Sequence, residues 1–254
     1  NDAEMRRLPH AALASASGLL LLMGILLVAA EDRIRIAAFS EATGSKLPSP
    51  WRAVGLPGSS KPFTRFDLVP LDGNTVLRVL ADHSYANLVH DLPDVAVARG
   101  TALRWRWRLD QALPDADLRR RETDDTALKV CLLFNAPAEN LGALEQSLLG
   151  VARAISGEKL PAATLCYVWD HTLPVGTLLD NAFTSRIRMI VVDSGTKALG
   201  HWVSHQRDVA ADFSRAFGRE FPTLPPLEGV AVGADADNTG GHSVGFVGDV
   251  TLAP

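Results

Sequence analysis

The fold is decided by residues 101–109, which read TALRWRWRL. The two tryptophans of this stretch occupy odd positions among apolar neighbours, and its three arginines occupy the even positions. Successive side chains of a β-strand point to opposite faces of the sheet, so a strand places the tryptophans in a core and the arginines in solvent or beside acids. A helix does not separate the two sets. The stretch therefore predicts a strand with one buried face.

Similar strand-like runs occur along most of the chain, bounded by turn residues. They are Phe63–Val69, Thr75–Ala81, Ala127–Phe134, Thr164–Trp169, Ile187–Val192, Gly229–Ala234 and Ser243–Leu252. Apolar residues at three- and four-residue steps predict two helices, over 140–156 and over 208–217, with Asp208 as the N-cap of the second. Many short strands and few helices favour a mainly β protein, an antiparallel β-sandwich of jelly-roll type with two accessory helices. We expect the helix at 140–156 to cover an edge or an opening of the sandwich.

The composition excludes several classes of protein. The 254 residues are 47% hydrophobic and 21% charged with a net charge of -4, which is typical of a globular chain and not of a disordered one. Without a strongly basic character, nucleic acid is not an expected partner. Two cysteines exclude a disulfide-dense scaffold and a four-cysteine zinc site. No phosphate-binding loop, dinucleotide fingerprint or nucleophile elbow is present.

An uncharged segment at residues 11–30 predicts a transmembrane helix. At about 1.5 Å per residue it spans about 30 Å, the thickness of the hydrocarbon core of a bilayer. Arginines precede it and acids follow it, so residues 1–32 are predicted to anchor a single domain, 33–254, on the far side of the bacterial inner membrane, in the periplasm. The alternative is a cleaved secretory signal ending in the small residues at 28–30. Both interpretations place the domain outside the cytoplasm.

The two cysteines, Cys131 and Cys166, each lie in an apolar, strand-like run. They form a disulfide if these strands are neighbours, as an oxidising compartment allows. Otherwise they are two buried thiols. The sequence leaves both possibilities open.

Acidic residues supply the candidate polar sites. Asp235, Asp237 and Thr239 have the alternating spacing of a calcium loop, to which Asp249 is a candidate further ligand, so calcium is the one candidate cofactor. The alternative is a hairpin turn in which these side chains bond their own backbone. Asp124 and Asp125 are candidate ligand-binding residues, as metal ligands or as the acids of a glycosidase. Alternatively, they neutralise arginines, either Arg104, Arg106 or Arg108 or those of the run at 119–121.

Two tryptophans are candidate sugar-stacking platforms. Trp51 and Trp202 lie outside the runs that the alternation buries, so they are the candidates for an exposed aromatic surface. His201 and His205 have a zinc-like spacing, but they lie in a predicted strand and no Glu or further His completes a site.

A series of short motifs resembles one bacterial family, the domain of unknown function numbered 3047. In order, the motifs are Leu103-Arg104-Trp105-Arg106-Trp107, Asp124-Asp125, Cys166-Tyr167-Val168-Trp169, His201-Trp202, Arg207 to Phe213 with Phe217-Gly218, and Asp235 to Thr239. The likeness extends over about residues 50–252. It implies a β-sandwich facing the cell envelope and carries no catalytic assignment.

The sequence supports two functional hypotheses. The first is a non-catalytic binding or accessory subunit, tethered at residues 11–30 to other membrane-protein subunits, because no complete catalytic constellation is present. Small residues on one side of the segment would let it pack against partner helices. The second is a carbohydrate-binding protein, with or without calcium, or a glycan hydrolase. That hypothesis rests on analogy with other jelly-roll proteins and predicts a groove lined by the acids and tryptophans above.

Overall fold

The computed structural model describes residues 34–253. The predicted transmembrane segment at 11–30 lies outside these residues. Among the residues described, no helix combines the length and the apolar character that a membrane span requires.

The described residues contain fourteen strands and two α-helices. The strands are β1 Ile34–Ala37, β2 Arg52–Val54, β3 Arg65–Leu71, β4 Asn74–Asp82, β5 Tyr85–Val95, β6 Ala102–Gln111, β7 Thr126–Phe134, β8 Ala163–Asp170, β9 Leu178–Asn181, β10 Thr184–Ser194, β11 Val203–Asp208, β12 Leu227–Asp235, β13 His242–Val247 and β14 Val250–Ala253. The helices are α1 Ala143–Ser156 and α2 Val209–Phe217.

The strands form two seven-stranded sheets that pack face to face. Sheet A has the order β1-β14-β6-β13-β4-β3, with β11 paired to β6, and sheet B has the order β2-β5-β12-β7-β8-β10-β9. The mainly β sandwich is confirmed. The expectation of a purely antiparallel arrangement is wrong at one place, because β10 runs parallel to β8. The intervening strand β9 takes the edge of sheet B, and β10 returns between β9 and β8 in the direction of β8.

The core between the sheets confirms the alternation of the deciding stretch. Trp105 is 3% exposed and Trp107 is fully buried in β6, whereas the arginines that alternate with them lie on the outer face of sheet A. The ring of Trp107 lies 6.1 Å from that of Trp169 in sheet B, so this pair joins the two layers. Large side chains from both sheets therefore fill one continuous apolar interior.

The second predicted helix is confirmed as α2. The Asp208 carboxylate accepts a hydrogen bond of 2.9 Å from the backbone N–H of Ala211, which is the expected N-cap contact. Val209, Phe213 and Phe217 are buried, so the apolar stripe of α2 faces the core.

Helix α1 forms within the predicted range but does not bury its apolar stripe. Leu149 is 1% exposed, whereas Leu144, Leu148, Val151 and Ile155 are 49–73% exposed. Polar contacts help to hold the helix: the Glu145 carboxylate accepts hydrogen bonds from the hydroxyl of Thr184 and the backbone N–H of Ser185. The helix therefore lies against the β9–β10 hairpin, with most of its apolar side chains facing outward.

Candidate functional site

The outer face of sheet B, which points away from the core, is largely apolar and buried. Strand register aligns Val89, Ala231, Cys131, Cys166 and Met189 on five adjacent strands. Each is at most 7% exposed. We call these five residues the apolar row. Their neighbours along the strands face the core, so the central strands of sheet B are apolar on both faces.

The two cysteines of the apolar row form a disulfide. Cys131 and Cys166 are register partners on β7 and β8, with their Cα atoms 4.0 Å apart. Because β7 and β8 are neighbours, the two cysteines form a disulfide and are not two buried thiols. The disulfide forms part of the floor of a cleft.

This cleft lies over the outer face of sheet B and has a volume of about 620 Å³. Its walls are residues 54–57, Ala152 of α1, residues 160–161 and the tip of the β9–β10 hairpin, together with residues around 122–126 and 237–238. The Arg121 side chain joins two of these walls by donating a 2.8 Å hydrogen bond to the carbonyl of Ala182. We refer to this cavity as the sheet B cleft.

A buried ion pair occupies one end of the cleft. The Lys129 ammonium donates a 2.9 Å hydrogen bond to Asp235, and these residues are 9% and 6% exposed. Burial raises the pKa of Asp235, and Lys129 opposes that rise. Burial has the largest single effect on the pKa of Lys129 and lowers it, but the combined interactions with Asp235, Tyr85 and Asp124 outweigh burial, so this pKa lies above its ordinary value. The ring of Tyr85 lies 5.2 Å from the ammonium.

Asp124 lies beside this pair with an unusual protonation equilibrium. It is 5% exposed, and its carboxylate accepts a 2.6 Å hydrogen bond from the Asn181 amide. Burial and then repulsion by Asp235 raise the pKa of Asp124 from 3.8 to about 6. The carboxyl group is therefore half protonated near pH 6.

Asp125 stabilises a turn at the edge of the cleft. Its carboxylate accepts hydrogen bonds from the backbone N–H groups of Asn238 and Thr239 and from the Thr239 hydroxyl. The hypothesis that Asp124 and Asp125 neutralise arginines, either those of β6 or those at 119–121, is wrong. Within the described part of the chain neither acid pairs with an arginine; Arg108 pairs with Asp110, for example, and Arg119 with Asp117. The acids instead bond to the walls of the cleft.

Only part of the predicted calcium set comes together. Carboxylate oxygens of Asp125, Asp235 and Asp237 lie within 4.8 Å of one another, and we call these residues the three-carboxylate cluster. Asp249 lies elsewhere and accepts hydrogen bonds from the backbone and hydroxyl of Ser40. Lys129 already neutralises one member of the cluster. Calcium binding stays a prediction of the sequence, and the ion pair of Asp235 with Lys129 disfavours it.

The two candidate tryptophans are partly buried and do not line the cleft. Trp51 packs against the rings of Phe39 and His90 at 5.4 and 5.0 Å. Trp202 lies under the Arg106 guanidinium at 4.7 Å, and its indole N–H donates to Asp72. The aromatic side chains that do line the cleft are Tyr85 and Phe183.

Sequence reasoning missed Lys129, Tyr85, Asn87 and Asn181. A signal for Lys129 was present, because it is the single charge in the apolar run ALKVCLLF at 127–134. A buried lysine requires a buried acid. Asp235, at the end of another apolar run, is this acid.

The chain is thus a disulfide-containing β-sandwich protein with a cleft of ligand size on the outer face of one sheet. The family model described as "Protein of unknown function (DUF3047)" matches residues 49–251. The chain belongs to this family, which confirms the resemblance of its motifs. No curated protein matches the chain in sequence.

Solved structures similar to this chain include carbohydrate-active proteins. The family 11 carbohydrate-binding module of the cellulase Lic26A-Cel5E of Clostridium thermocellum is 8% identical, with a TM-score of 0.41 and coverage of 88% of this chain and 95% of that one. A family 12 xyloglucanase from Bacillus licheniformis is 8% identical, with a TM-score of 0.42 and coverages of 89% and 99%. The Endo-D glycoside hydrolase domain from Streptococcus pneumoniae R6 is 10% identical, with a TM-score of 0.36; the match covers 80% of this chain but only 21% of that one. At these values the likeness concerns the general fold alone.

Proposed function

We propose that the sheet B cleft binds a glycan and that the domain acts as a binding protein outside the cytoplasm. The observation that carries this proposal is the convergence of hydrogen-bonding side chains at one end of a cleft of about 620 Å³. This volume lies within the range of about 300–1,000 Å³ of ligand sites, which combine mostly apolar walls with a few placed polar groups.

The side chain of Asn87 is the best-placed polar group for a ligand. Its amide donates a 3.1 Å hydrogen bond to the Tyr85 hydroxyl, while its buried oxygen accepts no hydrogen bond within the described part of the chain. Gly233, directly across on β12, makes room for this oxygen, because a Cβ there would collide with it. A buried acceptor without a donor is costly. Rotation of the Asn87 amide towards a ligand hydroxyl would give this oxygen a donor and stabilise the complex.

The remaining polar groups favour a ligand that is rich in hydroxyls. Asp124, Asp237 and Asn181 all offer acceptor oxygens around the same end of the cleft. Each sugar hydroxyl supplies one donor, and the C–H face of a sugar ring packs against aromatic side chains such as Tyr85 and Phe183. A glycan satisfies both requirements at once.

The disulfide supports a location outside the cytoplasm. Disulfides persist in oxidising compartments such as the bacterial periplasm and are rare in the cytosol. We therefore retain the periplasm as the proposed location of the domain, with residues 11–30 as the proposed membrane anchor. The accessory-subunit hypothesis has less support: in residues 34–253 the surface open to a partner is the exposed apolar stripe of α1, which lacks the placed polar groups of the cleft.

Glycan-array binding of the full-length protein tests the proposal. Asn87→Ala should weaken binding of a glycan found on the array about two- to tenfold, the value of one hydrogen bond. Asn74→Ala, which removes the same side chain from sheet A, is the matched control and should not change it. Absence of glycan binding, or equal losses in both variants, would refute the assignment.

One observation favours hydrolysis as a second candidate. Asp124, with a pKa of about 6, adjoins Asp235, and two carboxyl groups with differing protonation states are what glycoside hydrolysis requires. Against this, the ion pair with Lys129 makes Asp235 a weak nucleophile. Release of reducing ends from a bound glycan, lost in Asp124→Asn while binding persists, would favour hydrolysis over binding alone.

A further inference from the structure

The polarity of the cleft changes along the direction of the strands. Asn87, Gly233 and Lys129 are register partners and form a polar row near one end. The apolar row lies two residues further along each of these strands. Leu133 and Ile187 continue the apolar surface beyond it, beneath α1 and residues 160–161. Arg186 also lines this end, where its guanidinium donates to the carbonyl of Pro161 and pairs with Glu145.

This gradient has a measurable length. Lys129 and Leu133 are four residues apart on β7, which corresponds to about 13 Å along an extended strand. About half of this length, from Cys131 to Leu133, is apolar, which is room for the first few carbons of a hydrocarbon chain, whereas a free sugar fills only the polar end.

The apolar surface continues at the mouth of the cleft. Ala152 of α1 and Pro57 line the apolar end. The neighbouring Gly58 lies against Ile155 of α1, where an added Cβ would be 3.2 Å from the Ile155 side chain. Ile155 is 60% exposed and belongs to the outward-facing stripe of α1.

We propose that the ligand of the sheet B cleft is an amphiphile, a glycan head joined to a hydrocarbon chain, which places the head at the polar row and the chain along the apolar row. This inference rests on the proposed glycan binding and deepens it. Burying a hydrocarbon chain against the apolar row stabilises the complex in proportion to the area removed from water.

The charges at the polar end specify the kind of head group. Asp124, Asp235, Asp237 and Glu122 outnumber the lysines Lys61 and Lys129 there. An anionic head group would meet net repulsion, whereas a neutral hydroxylated head would not. These charges therefore disfavour an anionic head group and are compatible with an uncharged glycan head.

The experiment is a calorimetric titration of the full-length protein with maltose, octyl maltoside, nonyl maltoside and decyl maltoside, each below its micelle concentration. Because the proposed anchor at 11–30 also binds alkyl chains, the heat that an Ala152→Glu variant still produces is subtracted as binding outside the cleft. Affinity should rise by about two- to fourfold per added methylene group, up to the full transfer value. Decyl sulfate, which has the same chain and an anionic head, should bind at least about tenfold more weakly than decyl maltoside.

Two variants of α1 place the chain at the apolar end. Ala152→Glu puts a charge into the wall of the cleft and should weaken decyl maltoside binding at least about tenfold more than it weakens maltose binding. Ala154→Glu makes the same change two residues away, at an exposed position that does not line the cleft. It should leave all affinities unchanged.

The outcomes separate the inference from the proposed function. If maltose binds as tightly as decyl maltoside, the amphiphile is refuted and glycan binding survives. If decyl sulfate binds as tightly as decyl maltoside, and Asn87→Ala has no effect on either, the glycan head is refuted. Failure of decyl maltoside to bind, or equal effects of the two α1 variants, refutes the placement of a chain in the cleft.

Discussion

The Asp124 carboxyl group should make the stability of the protein depend on pH. Its pKa is about 6 in the folded state and 3.8 in the reference state. The folded protein therefore binds this proton more tightly than the unfolded chain does. A group with a raised pKa stabilises the fold at low pH, and this contribution is lost as the pH rises from about 4 to about 6.

The size of the effect follows from the two pKa values. One pKa unit corresponds to about 1.4 kcal/mol, so the full loss is about 3 kcal/mol. Because proton binding and folding are linked, the folded protein loses about 2 kcal/mol of this stabilisation between about pH 4.5 and about pH 7.5. Asp124→Asn has nearly the same shape and cannot ionise. Relative to the wild type, it should become more stable by about 2 kcal/mol over this interval.

The assay is urea unfolding of both proteins at several pH values, with the disulfide intact. The quantity to compare is the difference in free energy of unfolding at each pH, because contributions common to both proteins then cancel. A difference that stays constant within about 0.5 kcal/mol would refute the reasoning. It would show that water or movement of Asn181 relieves the burial of the carboxylate.

Asp117→Asn provides a control of opposite sign. The guanidinium of Arg119 bonds to Asp117 and lowers the pKa of that carboxyl group. Its stabilising contribution is therefore complete above the ordinary value near 3.8 and is lost only as the pH falls below it. The control difference should stay flat from about pH 4.5 upward.

Three further measurements test the structure around the cleft. Replacing both Cys131 and Cys166 by Ala should lower the free energy of unfolding by about 3–4 kcal/mol in denaturant titrations, because the disulfide closes a loop with a sequence separation of 35. An unchanged free energy would show that the disulfide does not stabilise the fold. Leu149→Ala should lower the free energy of unfolding by about 2–5 kcal/mol and Leu148→Ala by less than about 1 kcal/mol, since these adjacent residues are 1% and 49% exposed. Equal losses would mean that α1 packs against the sheet with a different face. Calcium should leave the melting temperature unchanged, because Lys129 already neutralises part of the three-carboxylate cluster; a rise that a chelator reverses would support the calcium site instead.

The elements that the sequence predicted well are those fixed by short-range periodicity. Strand β6 has its tryptophans on one face and its arginines on the other, and α2 begins at its expected N-cap. In both cases one face is polar and the other apolar, so the pattern identifies the buried side directly. Segments such as 187–192 lack this contrast, and their sequence does not reveal the parallel pairing of β10 with β8.

The sequence predicted the acids of the candidate site but not which residues lie beside them in the fold. Asp124 and Asp235 were identified because acids near turns are conspicuous. Lys129 and Asp235 are 106 residues apart in sequence, and only the order of strands in sheet B brings them together. The acceptor role of Asn87 was invisible for the same reason, since it depends on Gly233 of the neighbouring strand.

The difference between the two sheets explains why the cleft lies on sheet B. The outer face of sheet A carries the arginines of β6, which are compatible with water, so this face requires no cover. The outer face of sheet B carries the apolar row, which requires one. A cover that served stability alone would turn its own apolar side chains inward. Helix α1 instead buries Leu149 and leaves four apolar side chains outside, so it acts as a wall and not as a lid, and the apolar surface beside it remains available to a ligand.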